Sequence, residues 1–123
     1  MPQPQMPTMD LSLDIDDAGR FVATLQNEGG TPAQVTASNL NAADDLLAAI
    51  EDARDTGLGE CFWEESSGEY RWMIRAGADG ATLVVLWSAG VVTGWEHVFR
   101  GVCTFDWLAD RIREALARHG LAG

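Results

Sequence analysis

The sequence predicts an α+β domain: a mostly antiparallel sheet with two helices packed on it, in the order ββαββββα. Two observations lead there. From Glu60 to Ser88 the chain reads ECFWEESSGEYRWMIRAGADGATLVVLWS, runs of β-branched and aromatic residues broken by Ser-Ser-Gly and Asp-Gly turn signals. Before and after this block lie segments whose apolar residues recur at helical spacing, Leu40 to Ala53 and Phe105 to Leu116.

Taken in order, Met1 to Met9 carries three prolines and two glutamines and reads as a disordered arm, leaving residues 10–123 as a single domain. Leu11-Ser12-Leu13-Asp14-Ile15 alternates strictly and predicts a short strand. Asp16 to Gly19 turns the chain, and Phe21 to Leu25 returns as a second strand. Asp14, Asp16 and Asp17 do not make a calcium loop, because the twelfth place from Asp14 is Leu25 where a bidentate glutamate is required. After the loop Asn27 to Pro32, Val35 begins a brief extended piece. Ser38 or Asn41 then caps a helix that buries Leu40, Ala43, Leu46, Leu47, Ile50 and Ala53. Its outer face carries Asp45, Glu51, Asp52 and Asp55, and Gly57 and Gly59 end it.

In the block that follows, a Ser67-Gly68 loop sets Trp63 opposite Trp72, Cys61 opposite Ile74, Glu64 opposite Arg71 and Glu60 opposite Arg75. A longer loop, Ser66 to Gly68, sets Glu65 against Glu69 and Trp63 against Arg71; charge favours the first register. An Asp79-Gly80 turn sets Trp72 opposite Trp87 and Ile74 opposite Val85, so that Trp63, Trp72 and Trp87 form one row. Ala81 to Trp87 is almost continuously apolar, the mark of a strand covered on both faces. Val91 to Cys103 continues the sheet, with Gly94 and Gly101 at a bulge or bend. Thr104 caps the last helix, which runs to about His119, buries Phe105, Leu108, Ile112, Ala115 and Leu116, and stops at Gly120.

Composition narrows the function classes. The chain has 123 residues, of which 46% are hydrophobic, enough to bury a core. It has no apolar run of membrane-spanning length and no secretory leader, so a cytoplasmic location is expected. Cys61 and Cys103 sit in no CxxC or Cys/His pattern and are expected as buried reduced thiols. The net charge is −11, with eight arginines and no lysine. Residues 10–69 hold fourteen acids against two arginines, and residues 70–123 five acids against six. Nucleic acid and anionic membrane are therefore poor partners, and a basic protein is a natural one.

Chemistry-bearing patterns are scarce. One strand histidine, His97, with scattered carboxylates does not amount to the three or four converging ligands that zinc needs, and His119 sits where a helix end favours a cation. There is no GxSxG elbow, GxGxxG or P-loop pattern, so neither a cofactor nor a metal is expected. Glu64, Glu65 and Glu69 lie close enough for paired-carboxylate chemistry to stay open, although Glu64 and Glu65 point to opposite faces of a strand.

Trp63, Glu65, Glu69, Tyr70, Arg71 and Trp72, within GECFWEESSGEYRWMIRAG and followed by two more strands and an amphipathic helix, resemble small bacterial immunity proteins of polymorphic toxin systems. The resemblance covers the C-terminal two-thirds of the chain. It implies an α+β protein that binds a cognate toxin domain and blocks it, with no catalysis of its own. Charge adds a physical expectation: a basic toxin domain engaged by Asp52, Asp55, Glu64, Glu65 and Glu69, with Trp95 as the aromatic anchor. The competing place for Trp95 is beneath the last helix. Two other functions stay open: an acidic chaperone of a secreted effector, similar to type III secretion chaperones, and a small enzyme using the carboxylates of Glu64 to Glu69. Either a monomer or a homodimer is compatible with these readings.

Overall fold

The computed structural model describes residues 9–38, 41–77, 80–89 and 94–119. Strands β1 (Met9–Ile15), β2 (Phe21–Asn27) and β3 (Ala33–Ala37) form an antiparallel sheet in that order. Helix α1 (Ala42–Thr56) leads into a second antiparallel sheet of β4 (Leu58–Glu65), β5 (Gly68–Gly77), β6 (Gly80–Ser88) and β7 (Glu96–Cys103). Helix α2 (Phe105–Arg118) closes the chain. The architecture is α+β, as the sequence predicts, with its strands divided between two sheets. The brief piece expected at Val35 is a full strand, with Val35 opposite Ala23 and both buried. Met9 opens β1 instead of ending an arm, and it is buried.

One core lies between the sheets and helices. Alternation along β1 and β2 sends Leu11, Leu13, Phe21, Ala23 and Leu25 inward, and period-two alternation along β4 does the same for Cys61 and Trp63. The Phe21 and Trp63 rings lie 6.3 Å apart, joining the two sheets. Helix α1 packs on β4 at very close range: a Cβ on Gly59 would lie 1.8 Å from the Ala49 carbonyl oxygen. The indole N–H of Trp63 donates to the Ala42 carbonyl at 3.0 Å, tying the start of α1 to the same strand. Gly57 ends α1 in the left-handed region at φ 96°, where a residue without Cβ is favoured. Asn41 occupies the N-cap without a side-chain bond, and Ser38 instead gives its hydroxyl to the Glu64 carbonyl. Leu40 lies outside the described residues. Helix α2 is capped as expected, Thr104 Oγ1 accepting from the Trp107 N–H at 3.1 Å.

The hairpin registers differ from the sequence expectation. The β4–β5 loop is Ser66-Ser67, which sets Cys61 opposite Trp72, Trp63 opposite Tyr70, Glu60 opposite Met73 and Glu64 opposite Glu69. Packing overrides charge pairing here. A Cβ on Gly68 would come within 2.2 Å of the Ser88 carbonyl oxygen, so this glycine is needed inside β5, not in the turn. Gly77 and Gly80 face each other across residues 78–79, which lie outside the described set, so Gly80 belongs to β6 instead of the turn. Trp72 consequently faces Val85, and Trp87 faces Tyr70 with ring centroids 4.5 Å apart. The expected tryptophan row becomes a Trp63–Tyr70–Trp87 rung with Trp72 one rung away. Trp63 and Trp72 remain fully buried, their rings tilted at 47° with centroids 4.8 Å apart, whereas Trp87 is half-buried. Each register slips by two positions, so every side chain keeps its face.

Strand β7 begins at Glu96; residues 90–93, where the sequence predicts its start, lie outside the described residues. Its bulge falls at Val98, between the pairs Val85–Phe99 and Leu86–His97, and not at Gly94 or Gly101. Gly101 serves close packing instead, because a Cβ there would meet the Met9 sulfur at 2.7 Å. Both cysteines are free and buried, and burial is the main force pushing the Cys61 thiol up to about 12 and the Cys103 thiol to about 11. In the β1–β2 turn, Asp16 accepts from the backbone N–H groups of Ala18 and Arg20, each at 2.9 Å. These bonds, that from Arg20 foremost, hold the Asp16 carboxyl below its usual range.

Candidate functional site

The face of the β4–β7 sheet turned away from the core is covered by no element among the described residues. Arg71, Met73, Val84 and Leu86 lie half-buried on it, and Phe62 and Leu58 are exposed. Trp95, just before β7, is 40% exposed and leans toward this face, its ring 6.2 Å from that of Phe62. It does not pack beneath α2. The Arg71 guanidinium lies 5.7 Å from the Trp95 ring centre and 6.0 Å from that of Phe62. Glu60 fixes that guanidinium, accepting at 2.6 and 2.9 Å, so the sequence-predicted pairs Glu64–Arg71 and Glu60–Arg75 give way to a diagonal Glu60–Arg71 pair.

Two open depressions flank this cluster. The first, about 540 Å³, gathers Glu64, Glu65, Glu69 and Trp95 with Ser88 at its wall. Four of the six sequence-predicted contact residues therefore meet in one place. Glu64 and Glu69 stand directly opposite each other, a like-charge pair that costs stability. Glu65 is different: its carboxylate accepts from Thr36 Oγ1 at 2.8 Å and from Arg20 at 3.1 Å, which pins the hairpin to β3 and to the β1–β2 turn. Its side chain is only 13% exposed, so it acts as a structural strut.

The second depression, about 530 Å³, runs between α1 and β4 and takes in Asp45, Ala48 and Asp52 from the helix and Glu60, Phe62 and Glu64 from the strand. Asp52 thus sits near the other candidates, with Glu64 shared between the two hollows. Asp55 is exposed in the last turn of α1 and lines neither. Asp45, Glu60 and Phe62 are additional members of the surface. Their signal was present in the letters: Asp45 shares the outer face of α1 with Asp52, and Phe62, between Cys61 and Trp63, must point away from the core.

Ion pairs sharpen the charge asymmetry. Arg113 meets Glu51 at 3.2 Å, Arg54 meets Asp106 at 2.8 Å, and Arg111 binds Asp10. Arg111 and Arg113 of α2 thereby offset acids of β1 and α1, and Arg54 of α1 offsets an acid of α2. Among the described residues no cation pairs with Asp44, Asp45, Asp52, Asp55 or Glu69. Of these carboxylates, Asp45, Asp52 and Glu69 line the two depressions and leave a negative field there.

His97 is exposed opposite Leu86, and His119 Nε2 lies 3.7 Å from Asp14 at the end of α2. Among the described residues no group of three or more histidine, cysteine, aspartate or glutamate side chains is arranged to hold a metal ion, and no helix is long and apolar enough to cross a membrane. No known family matches the chain, and no curated protein or solved structure matches it either.

Proposed function

We propose that this protein is an immunity-protein-like binder that neutralises a basic toxin domain by direct contact in the bacterial cytoplasm. The observation that supports this reading is the convergence of Glu64, Glu69 and Trp95 on one open depression, continuous through Glu64 with the Asp45 and Asp52 flank of α1. An exposed aromatic cluster bordered by carboxylates matches a common division of labour. The carboxylates steer a cationic partner and set its association rate, and the aromatic anchors slow its release. Phe62 and Trp95 are the anchors, with Arg71 held between them by Glu60. Glu65, committed to Thr36 and Arg20, supports the surface from behind.

The test is co-purification with a basic toxin domain encoded beside this chain, followed by a toxin activity assay and binding kinetics. A stoichiometric complex and loss of toxin activity are expected. Asp52→Lys and Glu69→Lys are each expected to slow association by about tenfold at low salt, with the difference shrinking as the ionic strength passes roughly 0.15 M. Trp95→Ala is expected to act mainly on dissociation. Association rates unchanged at low salt in both charge reversals would refute the acidic-surface reading.

A further inference from the structure

We infer that the outer edge of β4, at Glu60 to Phe62, accepts an extended basic segment of the partner as an additional strand. Among the described residues, strand β4 ends the four-stranded sheet and pairs only with β5 within it. The direction of its backbone groups follows from its two ends. The Glu64 carbonyl accepts from the Ser38 N–H at 2.9 Å and the Ser38 hydroxyl at 2.8 Å, and the Leu58 carbonyl accepts from Thr56 Oγ1 at 3.1 Å. Both carbonyls therefore point away from β5. Alternate residues of a strand share one direction, so the N–H and C=O groups of Glu60 and Phe62, which lie between, point the same way. Among the described residues nothing bonds to those groups. They open into the depression between β4 and α1.

The surroundings define the occupant. On the helix side the groove is walled by Asp45 and Asp52 with the small, exposed Ala48 between them, which leaves room for a backbone to approach. On the other side lie Glu60, Phe62 and Glu64. A strand laid along β4 sends alternate side chains to these two sides and meets carboxylates on both. A second copy of this chain would bring Glu60 and Glu64 against their own counterparts, and like charges across a strand pair oppose pairing. Edge strands are commonly protected by charge in this way, and here the protection is one-signed: it rejects self-association and admits a cationic strand. Main-chain bonds supply the binding energy of such an addition, and the alternate side chains supply the choice of partner. Resting on the proposed reading of a basic partner, the added strand supplies that partner's mode of attachment.

A blocked short peptide of alternating arginine and valine tests the edge directly, with amide hydrogen exchange of the full chain as the readout. Two controls accompany it: the same peptide N-methylated at alternate residues, and an aspartate–valine peptide. The basic peptide is expected to slow exchange at Glu60 and Phe62 by about tenfold, and the N-methylated one to leave both unchanged. Asp45→Lys and Asp52→Lys, both on the exposed side of α1, are expected to weaken the effect several-fold without altering the fold. If the N-methylated peptide binds equally well, or no peptide protects these amides, strand addition is overturned while a basic partner remains. If the aspartate–valine peptide protects them as strongly as the basic one, the basic-partner reading itself falls. Protection that rises with protein concentration alone would overturn the choice of occupant in favour of a second copy.

Discussion

Trp63 and Trp72 are both fully buried, yet their indole nitrogens have different surroundings. Trp63 donates to the Ala42 carbonyl, whereas the Trp72 N–H finds no acceptor among the described residues. Replacing either with phenylalanine loses ring volume, but only Trp63→Phe also loses a hydrogen bond. Trp63→Phe is therefore expected to cost about 1 kcal/mol more than Trp72→Phe. Urea unfolding followed by circular dichroism measures the difference, and equal costs would show that the bond to Ala42 contributes nothing. The two thiols give a pH signature. Burial raises Cys61 to about 12 and Cys103 to about 11 from an ordinary 9.0. For a group whose folded pKa is raised, the stabilisation is complete below the unfolded value and lost as pH climbs toward the folded one. Stability is thus expected to fall from about pH 9 upward, through about 11 and on toward about 12. The decline should be shallower in a Cys61→Ala, Cys103→Ala double variant, as urea midpoints between neutral and alkaline pH will show.

The elements meet at backbone range, and that is what sets their order in space. Helix α1 and β4 are covalent neighbours joined at Gly57, and Gly59 lets the strand run against the helix backbone. Gly59→Ala forces main chain apart, since the obstacle is the Ala49 carbonyl and not a side-chain tip that can turn away. A cost of about 3 kcal/mol or more is expected. Chemical denaturation is the measure, and a loss below about 1 kcal/mol would mean that the helix rides on β4 more loosely than the geometry requires. The β4–β5 hairpin follows the same principle. Cross-strand charge favours Glu64 opposite Arg71, a register worth about 0.2–1 kcal/mol per good pair. Close packing of Gly68 under Ser88 selects a different one, and leaves Glu64 facing Glu69.

Across the whole molecule, that unfavourable pair belongs to an uneven distribution of charge. Arginines of α2 meet acids of β1 and α1, while Asp45, Asp52 and Glu69, paired with no cation among the described residues, line the two depressions. Glu69→Lys removes a like-charge contact and is expected to stabilise the isolated protein by about 0.5 kcal/mol. The same change slows association with a basic partner under the proposed function. A gain in urea midpoint accompanied by slower binding would mark Glu69 as kept for recognition at a cost in stability. A loss in midpoint would show that Glu69 is favourably placed in the folded chain.

Much of this was legible in the letters for short-range reasons. Helical and strand periods are local, so both helices, their caps at Thr104 and Gly57, and the strands of the hairpin block could be read directly. Face is equally robust, because a slip of two positions leaves parity unchanged: Trp63 and Trp72 reach the core under either register. The concentration of acids before residue 70 also needs no coordinates. Register, by contrast, was decided by contacts between distant backbones, Gly68 with Ser88 and Gly59 with Ala49, where no local pattern speaks. The strength of β3 was hidden because its alanines carry little strand preference until β2 pairs with them. The surface depended on folding in the same way. Glu65 was turned inward by Thr36 and Arg20, Asp55 was left outside the depressions, and Asp45, Phe62 and Trp95 were brought to their borders. Residue type and spacing determine which side chains leave the core, but which of them become neighbours depends on how the two sheets and two helices pack.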